Sequence, residues 1–294
     1  MRRPVLELLR ERFSCRSYLP RPIDDATRSR LRDLLEGLGP GPFGSPIRLA
    51  LVAATGEDAR ALKGLGTYGT IRNPQGFIVG VAGPGPMSLE DFGHVMERAV
   101  LEATDIGLGT CWLGGFFRRS RFAKMVGLAA GETIPAVVSL GYCADEARSG
   151  GLFGRISRRS SRLPAAALFF SGSFERAMPA AEAGRLSPAL ESVRLAPSAS
   201  NKQPWRVVRQ DGRWHFFLRR TKGYATNPLR KLHGEADLQR IDLGIAMCHF
   251  ELAARETGTA GAWELADPGI DLPDGLTSYI ATWRETARSG QSRV

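Results

Sequence analysis

Apolar residues recur at three-and-four spacing through two long stretches, DFGHVMERAVLEATDIGLGTCW from Asp91 to Trp112 and DLGIAMCHFELAARETGTAGAW from Asp242 to Trp263. In the first, Phe92, Val95, Met96, Ala99, Ala103 and Ile106 fall on one face; in the second, Leu243, Ala246, Met247, Phe250 and Ala253 do. That period predicts two long core helices. Shorter apolar runs at Arg48 to Ala54, Gly76 to Ala82 and Ala136 to Tyr142 predict strands. WRVVRQDGRWHFFL reads as a hairpin turning at Asp211-Gly212, a pair suited to the left-handed geometry of a tight turn. Ser171 to Arg185 is small, polar and without clear periodicity, so it reads as a linker or arm. Ser187-Pro188 then opens a helix, with Ser as N-cap and Pro at the first helical position. The helix ends near Pro197, because proline excludes helical geometry just before it. Strands and helices alternate irregularly, which predicts an α+β layered fold rather than a doubly wound parallel sheet.

The two long segments can be superimposed without a gap at a shift of 151, where Asp, Gly, Met, Leu, Ala, Gly and Trp coincide. Each also follows a helix-like stretch and a Pro-containing turn that leads into an apolar strand. These flanks are LRDLLEGLGPGPFGSPIRLALV in the first half and LESVRLAPSASNKQPWRVV in the second. Similarity at a fixed offset predicts a duplicated unit. The expected domains are 1–170, a first repeat with a C-terminal basic arm, and 171–294, a second and shorter repeat.

Composition narrows the function less than the repeat does. Across 294 residues, 43% are hydrophobic and 24% charged, an ordinary globular balance that excludes disorder for most of the chain. The formal net charge of +10 suits phosphates, nucleotides or nucleic acid without choosing among them. The basic residues are spread out and follow no RNP, KH or zinc-finger pattern, which weighs against nucleic acid. Cys15, Cys111, Cys143 and Cys248 form no C-x-x-C and have no histidine pair nearby, which argues against a zinc site and a disulfide framework. A reducing cytoplasm fits best. The apolar stretch of MRRPVLELLRERF is broken by Glu7, Arg10 and Glu11 before it could act as a signal peptide, and nothing elsewhere approaches a membrane span.

Three patches could carry chemistry, and each also has a plain structural explanation. In ERFSCRSYLPRP, Arg12, Ser14 and Arg16 alternate so that their donors could converge on one phosphate, or they form a solvated basic segment. APSASNKQPWR, Ala196 to Arg206, is a turn rich in short polar side chains and amide donors, or simply a connection. In IGLGTCWLGG, Ile106 to Gly115, the glycines let backbone approach a flat ligand, or cap a helix.

Together these patches resemble the flavin-dependent nitroreductase family. Its chains open with R-x-S-x-R-x-[F/Y], matched here by Arg12, Ser14, Arg16 and Tyr18. Its A-P-S-x-x-N-x-Q-P-W turn is matched by Ala196 to Trp205, and its G-x-G-x-x-W-x-G-G loop by Gly107 to Gly115. The order differs, because the A-P-S turn lies in the second half. At the corresponding place in the first half, GPGPFGSPIR keeps Pro40, Pro46 and Arg48 but lacks the Ser and Asn. The resemblance implies a three-layer α-β-α fold, and the duplication makes the chain an internal pseudo-dimer of two tandem half-repeats. It further implies one FMN per chain in a composite site. Arg12, Ser14, Arg16 and Leu113-Gly114-Gly115 would come from the first half, and Pro197, Ser198, Ala199 and Asn201 from the second. The mirror site lacks an R-x-S-x-R equivalent, and its glycine loop has become TGTAGAWEL.

The resemblance also places Arg162, before Leu163-Pro164, at the flavin phosphate, with Ser160 where the family has lysine and Arg158 and Arg159 as compensation. For the pyrimidine edge only Lys63, Tyr68 and Arg72 stand as loose substitutes. The implied activity is hydride transfer from NAD(P)H through flavin N5 to a small acceptor such as a nitroaromatic or quinone. The backbone amides of Gly114 and Gly115 would donate to N5 or O4, and no side-chain acid or base is required. A non-catalytic flavin-binding or sensing role stays open, as does a monomer or further assembly. Phe116 and Phe117 could floor an acceptor pocket or pack in the core, and Arg118 and Arg119 could meet a nicotinamide phosphate or form an exposed corner. His94 and His249 read as satisfied helix-face histidines, His215 as a strand residue, His233 as a loop residue and Cys111 as a small buried thiol.

Overall fold

A computed structural model describes residues 1–52, 54, 71–115, 117–144, 162–224 and 236–286. The first half contributes α1 (Val5–Glu11), α2 (Asp25–Glu36), β1 (Ile47–Val52), β2 (Gly76–Ala82), α3 (Ser88–Asp105), β3 (Gly109–Leu113), α4 (Arg119–Val126) and β4 (Val137–Gly141). Then follow β5 (Phe169–Ser171), β6 (Ser173–Ala177), α5 (Ser187–Leu195), β7 (Trp205–Gln210), β8 (Arg213–Arg219), α6 (Leu238–Glu256), β9 (Gly261–Glu264) and β10 (Thr277–Glu285).

The strands form two sheets, one in the order β1-β2-β4-β3 and the other in the order β6-β5-β7-β8-β10-β9. Four strands of the second sheet, β7-β8-β10-β9, thus reproduce the connectivity of the first. Neighbours pair antiparallel, except β5 with β7, which is parallel. Strand β2 is buried at every residue, as its uninterrupted GFIVGVA requires of a strand covered on both faces. The β7-β8 hairpin turns at Asp211 and Gly212, both at positive φ (50° and 72°), as the Asp-Gly pair predicts.

Helices α3 and α6 pack against each other through the middle of the molecule. At their crossing, a Cβ built on Gly93 would overlap the Ile241 carbonyl oxygen, and one on Gly244 would overlap that of Glu90 and lie 2.9 Å from the His94 nitrogen. Only glycine permits this backbone-to-backbone approach. These two glycines are 151 positions apart, and the other coincident pairs occupy matching places too. Asp91 accepts from the Phe43 and Ser45 amides at 2.9 and 2.8 Å, and Asp242 from the Ala199 amide at 3.0 Å. They thereby hold the turns that precede β1 and β7, the corresponding strands of the two sheets. Gly107 and Gly258 end the two helices at φ 85° and 80°. The indoles of Trp112 and Trp263 donate to Glu97 and Glu251, both at 2.8 Å.

A continuous core joins the halves, from Phe92 and Met96 on α3 through Met247 and Phe250 on α6 to Trp205, Trp214 and Trp283. A smaller cluster around Cys15, Tyr18, Phe77, Phe122 and Val137 lies on the other face of the first sheet. Among the described residues, no helix is long and apolar enough to cross a membrane.

Four expectations change. Both long helices stop before their glycine, and the tails of the repeat segments are the strands β3 and β9. Ser171 to Arg185 is no linker: it holds β6 and a 3-10 stretch over Ala180–Leu186, pinned where Ser171 Oγ donates to Glu182 at 2.6 Å and Arg209 donates to the Glu182 carbonyl at 2.6 Å. Because β5 starts at Phe169, the boundary between 170 and 171 runs through a strand of the second sheet. Helix α5 begins on Ser187 itself without a side-chain cap, which moves Pro188 to the second helical position, but it ends at Leu195 as Pro197 requires.

Candidate functional site

The turn after α5 gathers three of the positive-φ non-glycine residues found among the described residues. Ser200, Asn201 and Gln203 hold φ of 49°, 54° and 49°, a region that costs a side-chain-bearing residue on the order of 1 kcal/mol or more. Neighbouring groups lock the turn in place. Ser198 Oγ accepts from the Gln203 amide at 2.9 Å, the Asn201 amide donates to the Ser198 carbonyl at 2.9 Å, and Gln203 Nε2 donates to the Asn201 carbonyl at 3.1 Å. Gln203 Oε1 accepts from the Leu163 amide at 2.8 Å, which ties in the chain beside Arg162. Pro197 is buried. The Ser198 hydroxyl, already an acceptor, keeps its own hydrogen to give.

Arg162 seats its guanidinium on the end of α5. It donates to the carbonyls of Ala196 at 2.7 Å and Leu195 at 3.0 Å, where the helix leaves its last acceptors unfilled, and to Asn201 Oδ1 at 2.9 Å. Burial first, then the charges of Arg12 and Arg194, bring its pKa down to about 10. Of these three guanidinium groups, Arg194 is paired with Glu191 at 2.7 Å and Arg12 faces Glu97, while Arg162 meets only neutral oxygens among the described residues.

Arg12 follows α1 and turns inward, its side chain 6% exposed, with Nε 3.5 Å from Oε1 of the fully buried Glu97. That separation leaves Arg12 Nε without a hydrogen-bond partner. Glu97 is held elsewhere, accepting from Trp112 and lying 2.9 Å from His249 Nε2, while His249 Nδ1 lies 2.9 Å from the Ser192 carbonyl. Both His249 nitrogens thus face acceptors. Ser14 bridges to Thr110 of β3, and the Cys111 sulfur on that strand donates to the Trp112 carbonyl at 3.6 Å, with Arg16, Arg12 and Ser14 drawing its pKa down. Burial nevertheless keeps that thiol above its ordinary range.

The glycine loop and the A-P-S turn meet on the first turn of α6. A Cβ on Gly114 would come 2.7 Å from the Leu238 methyls, while Asp242, one turn on, receives the Ala199 amide. Leu113 is buried as the last residue of β3, and the Gly114 carbonyl accepts from Arg119 at 2.9 Å. The structure thus places Arg12, Arg162 and Asn201 together, and sets Gly114 and Ala199 against one helix start. Ser14 and Arg16 turn towards β3 instead.

Other candidates take structural places. Arg119 also covers the Phe117 ring, its guanidinium carbon 4.5 Å from the centroid, and Phe117 packs edge-on against Phe122 in the core. The Arg72 amide donates to the Arg16 carbonyl at 2.8 Å. His94 pairs with Glu251 at 3.0 Å but leaves its Nδ1 without a partner, and buried His215 meets Thr282 at 2.8 Å. Lys63, Tyr68, Phe116, Arg158, Arg159, Ser160 and His233 lie outside the described residues. Sequence reasoning missed the roles of Glu97, Gln203 and Asp242. The available signals were a carboxylate within an apolar helix face, the Gln of the A-P-S motif, and an Asp repeated at the 151 offset.

The pairing of two like sheets about crossed helices, with arginines gathered beside a strained turn, defines an α+β fold of two like halves. A family model described as "Putative TM nitroreductase" matches residues 4–254, and the chain belongs to that nitroreductase family. A putative nitroreductase from Thermotoga maritima MSB8 is 19% identical, covers 96% of this chain and 93% of its own, and superimposes with a TM-score of 0.60. An FMN-dependent nitroreductase from Clostridium difficile R20291 is 19% identical over 46% of this chain and 86% of its own, with a TM-score of 0.39. A putative NADH dehydrogenase/NAD(P)H nitroreductase from Bacteroides thetaiotaomicron VPI-5482 is 17% identical over 49% of this chain and 89% of its own, with a TM-score of 0.40. No curated protein matches.

Proposed function

We propose that the chain is an FMN-dependent oxidoreductase that takes hydride from NAD(P)H and reduces a small organic acceptor such as a nitroaromatic or quinone. The observation that carries this reading is the group of Arg12, Arg162 and Arg194 beside the A-P-S turn, with Arg12 Nε buried and unpartnered. A phosphate fits that surplus of positive charge, because charge-assisted bonds to arginine are strong and a lone buried donor is costly. When bound, FMN supplies the two-electron chemistry.

The chain's own residues hold and shield. Arg12 is aimed by Glu97, and Arg162 by the α5 carbonyls, so both are set before a ligand arrives. Ser198 offers its hydroxyl proton, and Asn201 spends its side-chain oxygen on Arg162. The Gly114 and Gly115 amides are assigned to the ring edge, with Leu238 and Leu113 closing the apolar side. With Arg12, Ser14 and Arg16 from 1–170 and the turn from 171–294, we read the chain as a fused pair with one composite site.

Titrating the purified full chain with FMN, followed by desalting and absorbance, is expected to return about one flavin per chain. A ratio near two would refute the single site. Arg12→Ala is expected to weaken FMN binding by about ten- to a hundredfold, the loss of a charged hydrogen bond. Steady oxidation of NADH or NADPH by the loaded protein tests turnover; tight flavin binding without it with any acceptor would leave a binding or sensing role.

A further inference from the structure

Two cysteines far apart in sequence meet beside the Arg12 segment. Cys15 is fully buried between β3 and the end of β4, where its amide donates to the Thr110 carbonyl at 2.8 Å. Cys143, two residues past β4, is half-buried and bridges to Tyr18. Their sulfurs stand over the same glycine: a Cβ built on Gly109 would overlap the Cys143 sulfur and lie 3.1 Å from that of Cys15. Gly109 therefore leaves its space to a pair of thiols. The neighbouring Cys143 and burial push the Cys15 thiol up, and its sulfur donates to the Ser17 carbonyl at 3.3 Å, so it keeps its proton while its partner reacts. A surface recess lined by Arg12, Phe13, Gly107, Gly109 and Thr110 reaches Cys143. Both cysteines are present as thiols.

We propose that Cys15 and Cys143 form a redox-active dithiol that closes to a disulfide on reaction with a hydroperoxide, tying the Arg12-to-Tyr18 segment to the end of β4. The Cys143 thiolate attacks the peroxide: an S–O bond forms, the O–O bond breaks, and the alcohol or water leaves with the thiol's proton. The Cys15 sulfur then attacks the sulfenic sulfur; the S–S bond forms, the S–O bond breaks, and the departing hydroxyl takes the Cys15 proton as water. Two thiols have lost two electrons and two protons, and one peroxide has been reduced. Closure brings the sulfurs to about 2.05 Å by side-chain rotation over Gly109. Over Gly109 stand the sulfurs of Cys15 and Cys143; the Cys111 sulfur turns to the Trp112 carbonyl, and Cys248 is fully buried on α6.

The test uses the full chain, with or without flavin, treated with hydrogen peroxide, quenched in acid, unfolded, and examined by thiol titration and non-reducing peptide mapping. Of the four thiols, two should disappear, with a single Cys15–Cys143 cross-linked peptide and full recovery in dithiothreitol. Cys111→Ser should still lose two. Cys15→Ser should give no cross-link and should expose Cys143 to a sulfenic-acid trap such as dimedone. Retention of all four thiols in the wild-type chain, or a cross-link that includes Cys111, overturns the proposal. The wild-type measurement stands even if a variant fails to fold, and it does not depend on the flavin reading.

Discussion

Asp91 and Asp242 stand at matching positions in the two halves but under different strain. Asp91 uses both oxygens, one for each of two amides, and asparagine can replace only one of these acceptors. Asp91→Asn is therefore expected to cost about 1–3 kcal/mol in denaturant unfolding. Asp242 satisfies one oxygen and leaves Oδ2 buried and unpartnered, and desolvation holds its carboxyl well above the ordinary range. An acid raised in the folded state stays protonated there while the unfolded chain ionises, so its stability falls as pH rises from the unfolded value through the folded one. Asp242→Asn keeps the acceptor for Ala199 and has nothing to ionise. Its melting temperature should meet that of wild type near pH 4 and exceed it increasingly towards pH 8. A difference that shrinks with rising pH would refute this account of Asp242. Glu251 has the opposite sign. Burial pushes it up, but the hydrogen bond and charge of His94, with Arg255 and Trp263, bring it below the ordinary carboxylate value, so its stability contribution is present at neutral pH and lost as acid protonates it.

Among the elements, α3 and α6 depend most on single residues. Their contact leaves no room for a methyl group at Gly93 or Gly244, because the atoms in the way are backbone and cannot rotate aside. Gly93→Ala and Gly244→Ala are each expected to destabilise by about 3 kcal/mol or more, read as a fall in denaturation midpoint. A substitution on the exposed face of α2, such as Arg32→Ala, should change it by less than about 0.5 kcal/mol. Both helices and the β7-β8 hairpin were legible in the sequence, because a sustained period and an Asp-Gly turn are local signals. β5 and β6 were not: three and five residues are too short to show alternation, and β6 is mostly polar at a sheet edge. The parallel pairing of β5 with β7 was also hidden, since pairing between distant segments leaves no local mark.

For the whole molecule, the sequence disclosed the halves better than the site. Repeated Asp, Gly and Trp positions could be read directly, because each serves a contact that both halves need. Arg12 and Arg162 could be named by motif, but their support could not. Glu97 looked like one polar residue on a core helix until Arg12, Trp112 and His249 closed around it. The meeting of Cys15 and Cys143 was equally silent, since only folding brings these two segments together.

The crossing of α3 and α6 bears on how the two halves are able to change. A helix that touches its counterpart through bare backbone must keep its shape whatever its loops come to do. Gly93 and Gly244, Asp91 and Asp242, and Trp112 and Trp263 still correspond, while the turn before β1 has no counterpart of Ser198 and Asn201. The residues that fit the halves together are thus separate from those of the proposed site. A turn can differ between the halves, provided that each helix continues to match its twin.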